Sequence, residues 1–195
     1  MTYHIYRTRG LILGSVSVGE SNRFYKIFTE ELGLIGATAQ SVREERSKLR
    51  FSLQNYAWVK LDLVRGKSGW KIISGAEDRA YAFIKKEGSA QKIFARACLL
   101  IVRLVHGEEQ DQKLFEDLLS VAEFLEKNSL PQSLETYFET LLTLRVLVRL
   151  GYIDPAPYTA DFLGSNFSVD ILESFSLLHE MAVRDIRSAL EASHL

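Results

Sequence analysis

From Ser21 the chain alternates in polarity. Phe24, Ile27 and Phe28 are apolar among Asn22, Arg23 and Lys26, the period of a strand. Thr29-Glu-Glu-Leu-Gly33 turns the chain, with Gly33 expected at positive φ because it has no Cβ to clash there. Leu34–Gln40 returns as a second strand and runs into a basic loop, Arg43, Arg46, Lys48 and Arg50, interrupted by Glu44 and Glu45. Upstream, residues 3–18 read as a first strand region in which Gly10 and Gly14 mark a bulge or sharp bend. Downstream, residues 56–65 set Val59, Leu61 and Leu63 against a mixed face of Trp58, Lys60, Asp62 and Val64. Gly66-Lys-Ser-Gly69 is a tight hairpin turn, and Trp70–Ala76 completes a fifth strand.

After Glu77 the period changes. Apolar positions recur at three and four, predicting helices over 81–87, 89–105, 111–127, 133–150 and 169–192, with 154–168 as a loop. The helix over 133–150 is apolar on most sides and should be central. The class expected is α+β: an N-terminal five-stranded OB-type β-barrel over 1–78, followed by an all-α helical domain over 79–195.

Composition adds one thing the pattern does not show. Net charge is −1, which argues against a generally cationic binder, but the charge is unevenly spread. Residues 1–78 carry 12 Lys and Arg against 8 Asp and Glu; of the whole-chain 24 and 25, that leaves 12 against 17 for the rest. The first half is thus +4 and the second −5. Cys98 is the single cysteine and sits in an apolar run, so it is expected to be a buried, inert thiol with no disulfide or thiolate zinc site. With neither an apolar leader nor a bilayer-length apolar run, the protein is expected in the cytoplasm, off the membrane.

Catalytic patterns are scarce. Gly66-Lys67-Ser68 ends like a phosphate-binding loop, but Leu61 stands where its first glycine belongs and no helix follows. His179-Glu180 lacks the second histidine of a zinc pair, Val183 taking that place. His4, His106, His179 and His194 share no spacing, and no G-x-S-x-G elbow occurs. No enzyme, cofactor or metal is expected. What remains is binding. Arg23, Lys26, Arg43, Arg46, Lys48, Arg50, Lys67 and Lys71 could track phosphates, while a merely solvated basic loop accounts for the same run. Phe24, Phe28 and Phe51 read as barrel core; Tyr25 and Trp70 read as the candidates for stacking bases.

Two runs resemble a known family. Gly19–Gln40, G-E-S-N-R-F-Y-K-I-F-T-E-E-L-G-L-I-G-A-T-A-Q, with the loop Arg46-Ser-Lys-Leu-Arg50, is similar to the N-terminal signature of RecO, the bacterial recombination mediator. Tyr137-Phe-Glu followed by Leu150-Gly-Tyr-Ile-Asp-Pro155 resembles a helix end of the same family. The resemblance implies an OB-fold followed by helices and binding of single- and double-stranded DNA. It further implies annealing of complementary strands and help in loading RecA onto DNA coated by single-stranded DNA-binding protein (SSB). The partners implied are RecR and the SSB C-terminal tail. Two departures stand out. Ala156–Ser168 has no cysteine where many members carry a four-cysteine zinc module, and Ser41-Val42-Arg43 replaces the usual glycine-alanine-arginine step.

A second reading is an adaptor whose acidic helical half holds protein partners while the barrel binds DNA weakly or not at all. An acidic, Phe-ended tail would need apolar residues ringed by cations, for which Arg96, Arg103, Arg145 and Arg149 have suitable helical spacings. Solvated helix charges explain the same spacings. A third reading, an enzyme acting on nucleic acid, has only scattered carboxylates behind it.

Overall fold

The computed structural model describes residues 4–164 and 166–193. Tyr3, Ser165 and His194 lie outside the described residues. The chain forms two compact units, Met1–Ile84 with Val105–Phe115, and Lys85–Leu104 with Glu116–Leu195.

The first unit is an OB-type closed barrel of five strands: β1 (Ile5–Val18), β2 (Asn22–Thr29), β3 (Gly33–Ala39), β4 (Trp58–Gly66) and β5 (Gly69–Arg79). The spatial order is β1-β2-β3-β5-β4, and β1 closes the ring by pairing with both β2 and β4. All pairings are antiparallel except β3 with β5. One strand can serve two neighbours because β1 is long and bends at a register shift between Ile12 and Gly14, where the sequence places a glycine.

Side chains of one parity fill the interior: Ile12, Tyr25, Ile27, Ile35, Leu61 and Leu63 are all buried there. Gly33 has φ +66°, as its position in the β2–β3 turn required. The two-residue turn Lys67-Ser68 joins β4 to β5.

Segment 105–115 packs on the same unit. Phe115 lies 5.3 Å from Trp58 and 6.1 Å from Phe28, edge-on to the first. Phe28 is buried as expected, but its parity, opposite to Ile27, puts it on the outer face of the barrel. Phe24 shares that outer face and covers Gly36, where a Cβ would stand 2.4 Å from the ring.

A short helix, α1 (Leu49–Ser52), lies in the connection from β3 to β4 and closes one end of the barrel. Leu49 and Leu53, four residues apart, pack on the core, and both would touch a Cβ placed at Gly75. Helix α2 (Ala82–Lys85) follows β5.

The second unit is helical. It contains α3 (Ser89–Leu104), α4 (Gln112–Lys127, whose first residues count with the barrel unit), α5 (Gln132–Arg149), α6 (Ala160–Leu163), α7 (Val169–Ser176) and α8 (His179–Ala192). Helix α5 is the hub, packing against α3, α7 and α8. This is what its nearly all-round apolar sequence demands.

Two expectations need correction. The last helix is two, because the chain turns at Leu177-Leu178 between α7 and α8. The expected loop 154–168 contains a 3-10 turn, Pro157–Thr159, leading into α6, with Pro157 supplying the fixed φ that starts such a turn. Phe138 is stacked on Phe124 at 5.3 Å and meets Phe167 at 4.7 Å in the core of this unit. Cys98 is fully buried, and burial pushes its thiol up, away from reactive thiolate. Among the described residues no helix is long and apolar enough to cross a membrane.

Candidate nucleic-acid interface

The loop from Gln40 to Ala57 is held at both ends by backbone. At its start Ser41, with φ 51°, donates its N–H to the Asn22 side chain at 3.0 Å, and Arg43 N–H reaches Ser21 O at 3.0 Å. At its end the Tyr56 N–H donates to Ile12 O at 2.7 Å, and the Ile12 N–H donates back to Ala57 O at 3.0 Å. Among the described residues, Ser41 and Tyr56 are the non-glycine residues with positive φ, so the backbone at the two joints of this loop departs from ordinary geometry. Between them, burial of Val42 and Leu53 pulls the loop onto the barrel end.

The result is a cleft of about 290 Å³ lined by Arg23, Tyr25, Val42, Arg43, Arg50 and Gln54. Among the described residues three guanidinium-bearing side chains border it and no carboxylate does. Arg23 enters from β2 on the interior parity; its Nε is shut from solvent with no hydrogen-bond partner, and NH1 is 3.5 Å from Ser15 Oγ. Burial raises the Tyr25 phenol above its ordinary pKa, while the charge and hydrogen bond of Arg23 pull the other way. Arg43 donates to Gly19 O at 3.2 Å. The Gln54 amide donates to the Arg50 carbonyl, which draws this side chain alongside Arg50.

Of the other expected cations, Arg46 and Lys48 are exposed on the same loop but outside the cleft lining. Arg46 holds Glu44 at 3.1 Å; the Ser41 hydroxyl and then Arg46 keep that carboxyl below its usual range. Lys26 and Lys71 stand on the outer wall of β2 and β5, beside Phe24 and Thr38. Lys67 occupies the β4–β5 turn, at the opposite end of β4 from the one this loop enters. The structure therefore gathers Arg23, Arg43 and Arg50, keeps Arg46 and Lys48 nearby, and leaves Lys26, Lys71 and Lys67 elsewhere on the barrel.

Several further barrel cations already hold acids. Arg7 meets Asp62 at 3.5 Å, Lys60 meets Asp78 at 2.9 Å, and Arg65 meets Glu108 at 2.5 Å. Arg9 grips Glu30 with two bonds, 2.7 and 2.5 Å.

Three aromatic assignments, Tyr25, Trp70 and Phe51, need correction. Tyr25 and Trp70, the stacking candidates, are 1 % and 4 % exposed and belong to the barrel core. Trp70 Nε1 donates to Glu108 at 3.1 Å with Arg65 lying over the ring, so this indole is capped. Phe51, expected in the core, is 70 % exposed. The cause is helical geometry. Once Leu49 and Leu53 face the barrel, the residue midway between them must face out. Arg50 lies over the Phe51 ring at 5.2 Å. The i, i+4 pairs Leu49/Leu53 and Arg50/Gln54 carried this signal, and it would have found both Phe51 and Gln54.

The four helical arginines sit as follows. Arg96 pairs with Glu139 of α5, and Arg103 is exposed on α3. Arg149 pairs with Asp117 of α4 at 3.0 Å. Arg145 lies over Phe167 at 4.0 Å, and burial lowers its pKa to about 10 against the opposing pull of Asp117. No grouping of His, Cys, Asp and Glu that could hold a metal ion occurs among the described residues.

An OB-type barrel with an arginine cleft at one end, free of carboxylates among the described residues, places the chain among the small closed-barrel domains. Comparison narrows the class. Residues 1–81 match the family described as Recombination protein O N terminal. The chain is similar to the DNA repair protein RecO of Dehalococcoides mccartyi, 30 % identical for strain ATCC BAA-2100 / JCM 16839 / KCTC 5957 / BAV1 and 29 % for strain CBDB1, each over 76 % of this chain and 57 % of that protein. The DNA repair protein RecO of Clostridium novyi (strain NT) is 26 % identical over the same shares, 76 % and 57 %. Through this N-terminal barrel the chain is similar to the RecO family. It spans a little over half the length of these curated relatives.

Proposed function

We propose that this protein is a DNA repair and recombination mediator that binds single- and double-stranded DNA through its barrel and performs no bond chemistry. The observation that carries the reading is the cleft bordered by Arg23, Arg43 and Arg50, with no carboxylate in its lining among the described residues, on a barrel where Arg7, Arg9, Arg46 and Arg65 hold acids. Arg46 and Lys48 extend the charge along the same loop; Lys26, Lys71 and Lys67 offer secondary phosphate contacts on the wall and far tip. Neutralising phosphates on two strands at once screens their repulsion and favours annealing. By family resemblance the reading extends to assisting RecA loading on SSB-coated DNA in the cytoplasm, with RecR and the SSB tail as partners.

The test is a salt-titrated binding assay of the full chain with single-stranded DNA. The double variant Arg43→Ala/Arg50→Ala should weaken binding and flatten the slope of log affinity against log salt by about 1.4, since each phosphate contact contributes roughly 0.7 for a single strand. A slope equal to that of the unaltered chain would sink the assignment of the cleft.

A further inference from the structure

Phe51 and the arginine cleft share a residue. Arg50 borders the cleft and also lies over the Phe51 ring at 5.2 Å, yet the ring remains 70 % exposed. A phenylalanine this exposed, on an element pinned through Leu49 and Leu53, is held out in water by its own helix. Arg43, Lys48 and Arg50, all exposed, lie on the same loop. An apolar protein partner would have to cover these cations and strip their water, at a cost that the ring alone does not offset. A nucleobase makes no such demand, because it brings its own phosphate to the cations and its own π-face to the ring.

We propose that Phe51 is a stacking platform for one unpaired base, whose adjoining phosphate sits in the cleft of Arg23, Arg43 and Arg50. Arg50 then serves both halves of the nucleotide, as a cation to the phosphate and as a flat surface continuing the aromatic stack. The arrangement selects single strands. A base in a duplex has both faces occupied by its neighbours, so it must be unstacked before it meets Phe51. Phosphate contacts alone are indifferent to strandedness. A mediator with this device holds a strand open at one point while its cations screen the backbone.

The inference rests on the DNA-binding reading above, and the test separates the two. Fluorescence anisotropy of the full chain is measured with a base-bearing single strand, an abasic strand of the same phosphate count, and a blunt duplex. The unaltered chain should prefer the base-bearing strand over the abasic one by about 5- to 150-fold, the range that one aromatic stack supplies. Phe51→Ala should abolish that preference while leaving duplex affinity and the salt slope unchanged, and Phe51→Trp should restore it. A thermal melt checks that each variant is folded, which the exposure of Phe51 favours. If Phe51→Ala keeps the full preference for the base-bearing strand, the platform is wrong while the cleft stands. If the unaltered chain binds none of the three, the DNA reading fails and the platform with it.

Discussion

Gly33 is the position at which one added methyl group should cost most. It turns β2 into β3 at φ +66°, where an L-residue loses roughly 1 kcal/mol of conformational free energy. The larger effect is contact. A Cβ at Gly33 would stand 2.1 Å from the Glu109 carbonyl oxygen and 2.7 Å from its carbon, both backbone atoms with no rotamer to yield. Restoring ordinary contact at roughly 3.5 Å means shifting the segment around Glu109 by more than an ångström. That segment is anchored within the same unit by Phe115 against Trp58 and Phe28, so a shift of this size costs about 1–3 kcal/mol of packing. Gly33→Ala should therefore destabilise the barrel unit by about 3 kcal/mol in total, a large fraction of a typical domain's 5–15 kcal/mol. The control is Gly19→Ala. Gly19 has nearly the same φ, +63°, but nothing within 4 Å of its Cβ position, so it should lose only about 1 kcal/mol. Denaturant unfolding followed by tryptophan fluorescence reads this unit selectively, because both tryptophans, Trp58 and Trp70, are in it. Equal losses for the two variants would refute the steric argument, since backbone conformation alone would then account for both.

Three further outcomes are expected. Arg9, by its hydrogen bonds, holds the Glu30 carboxyl below its usual pKa, so the pair's contribution is present above the ordinary carboxylate range and fades as pH falls through the folded value. Glu30→Gln should cost about 1 kcal/mol at pH 7 and nothing in strong acid; a pH-independent difference in thermal stability would show that the ion pair is not its source. Leu53→Ala, which opens a void under the barrel end, should cost about 2–5 kcal/mol by denaturant midpoint and weaken single-strand binding as α1 loosens; stability within 0.5 kcal/mol (about the scatter of a surface substitution) would mean that α1 is not a lid. Cys98 should resist a thiol-specific disulfide reagent in the native chain and react fully after denaturation, and rapid native labelling would contradict its burial.

The elements were largely legible because they rest on local chemistry. Period two in residues 22–40, glycines at 33, 66 and 69, and period three to four after residue 81 each follow from where a short stretch can put its apolar side chains. The charge asymmetry between the halves, and the loop that carries it, were also readable without coordinates. The turn at Leu177-Leu178 was not, because the apolar period runs on through it and only packing against α5 shows that the chain has changed direction.

What the amino-acid order settled by itself was therefore a barrel followed by helices, with a basic loop between the third and fourth strands. What only the tertiary structure decided was which of those basic and aromatic side chains share a place. Strand parity cannot tell the inside of a closed barrel from its outside until the ring closes. Tyr25 and Trp70 went in, Phe24 went out onto Gly36, and a four-residue helix whose leucines face the core turned Phe51 to the solvent beside Arg50.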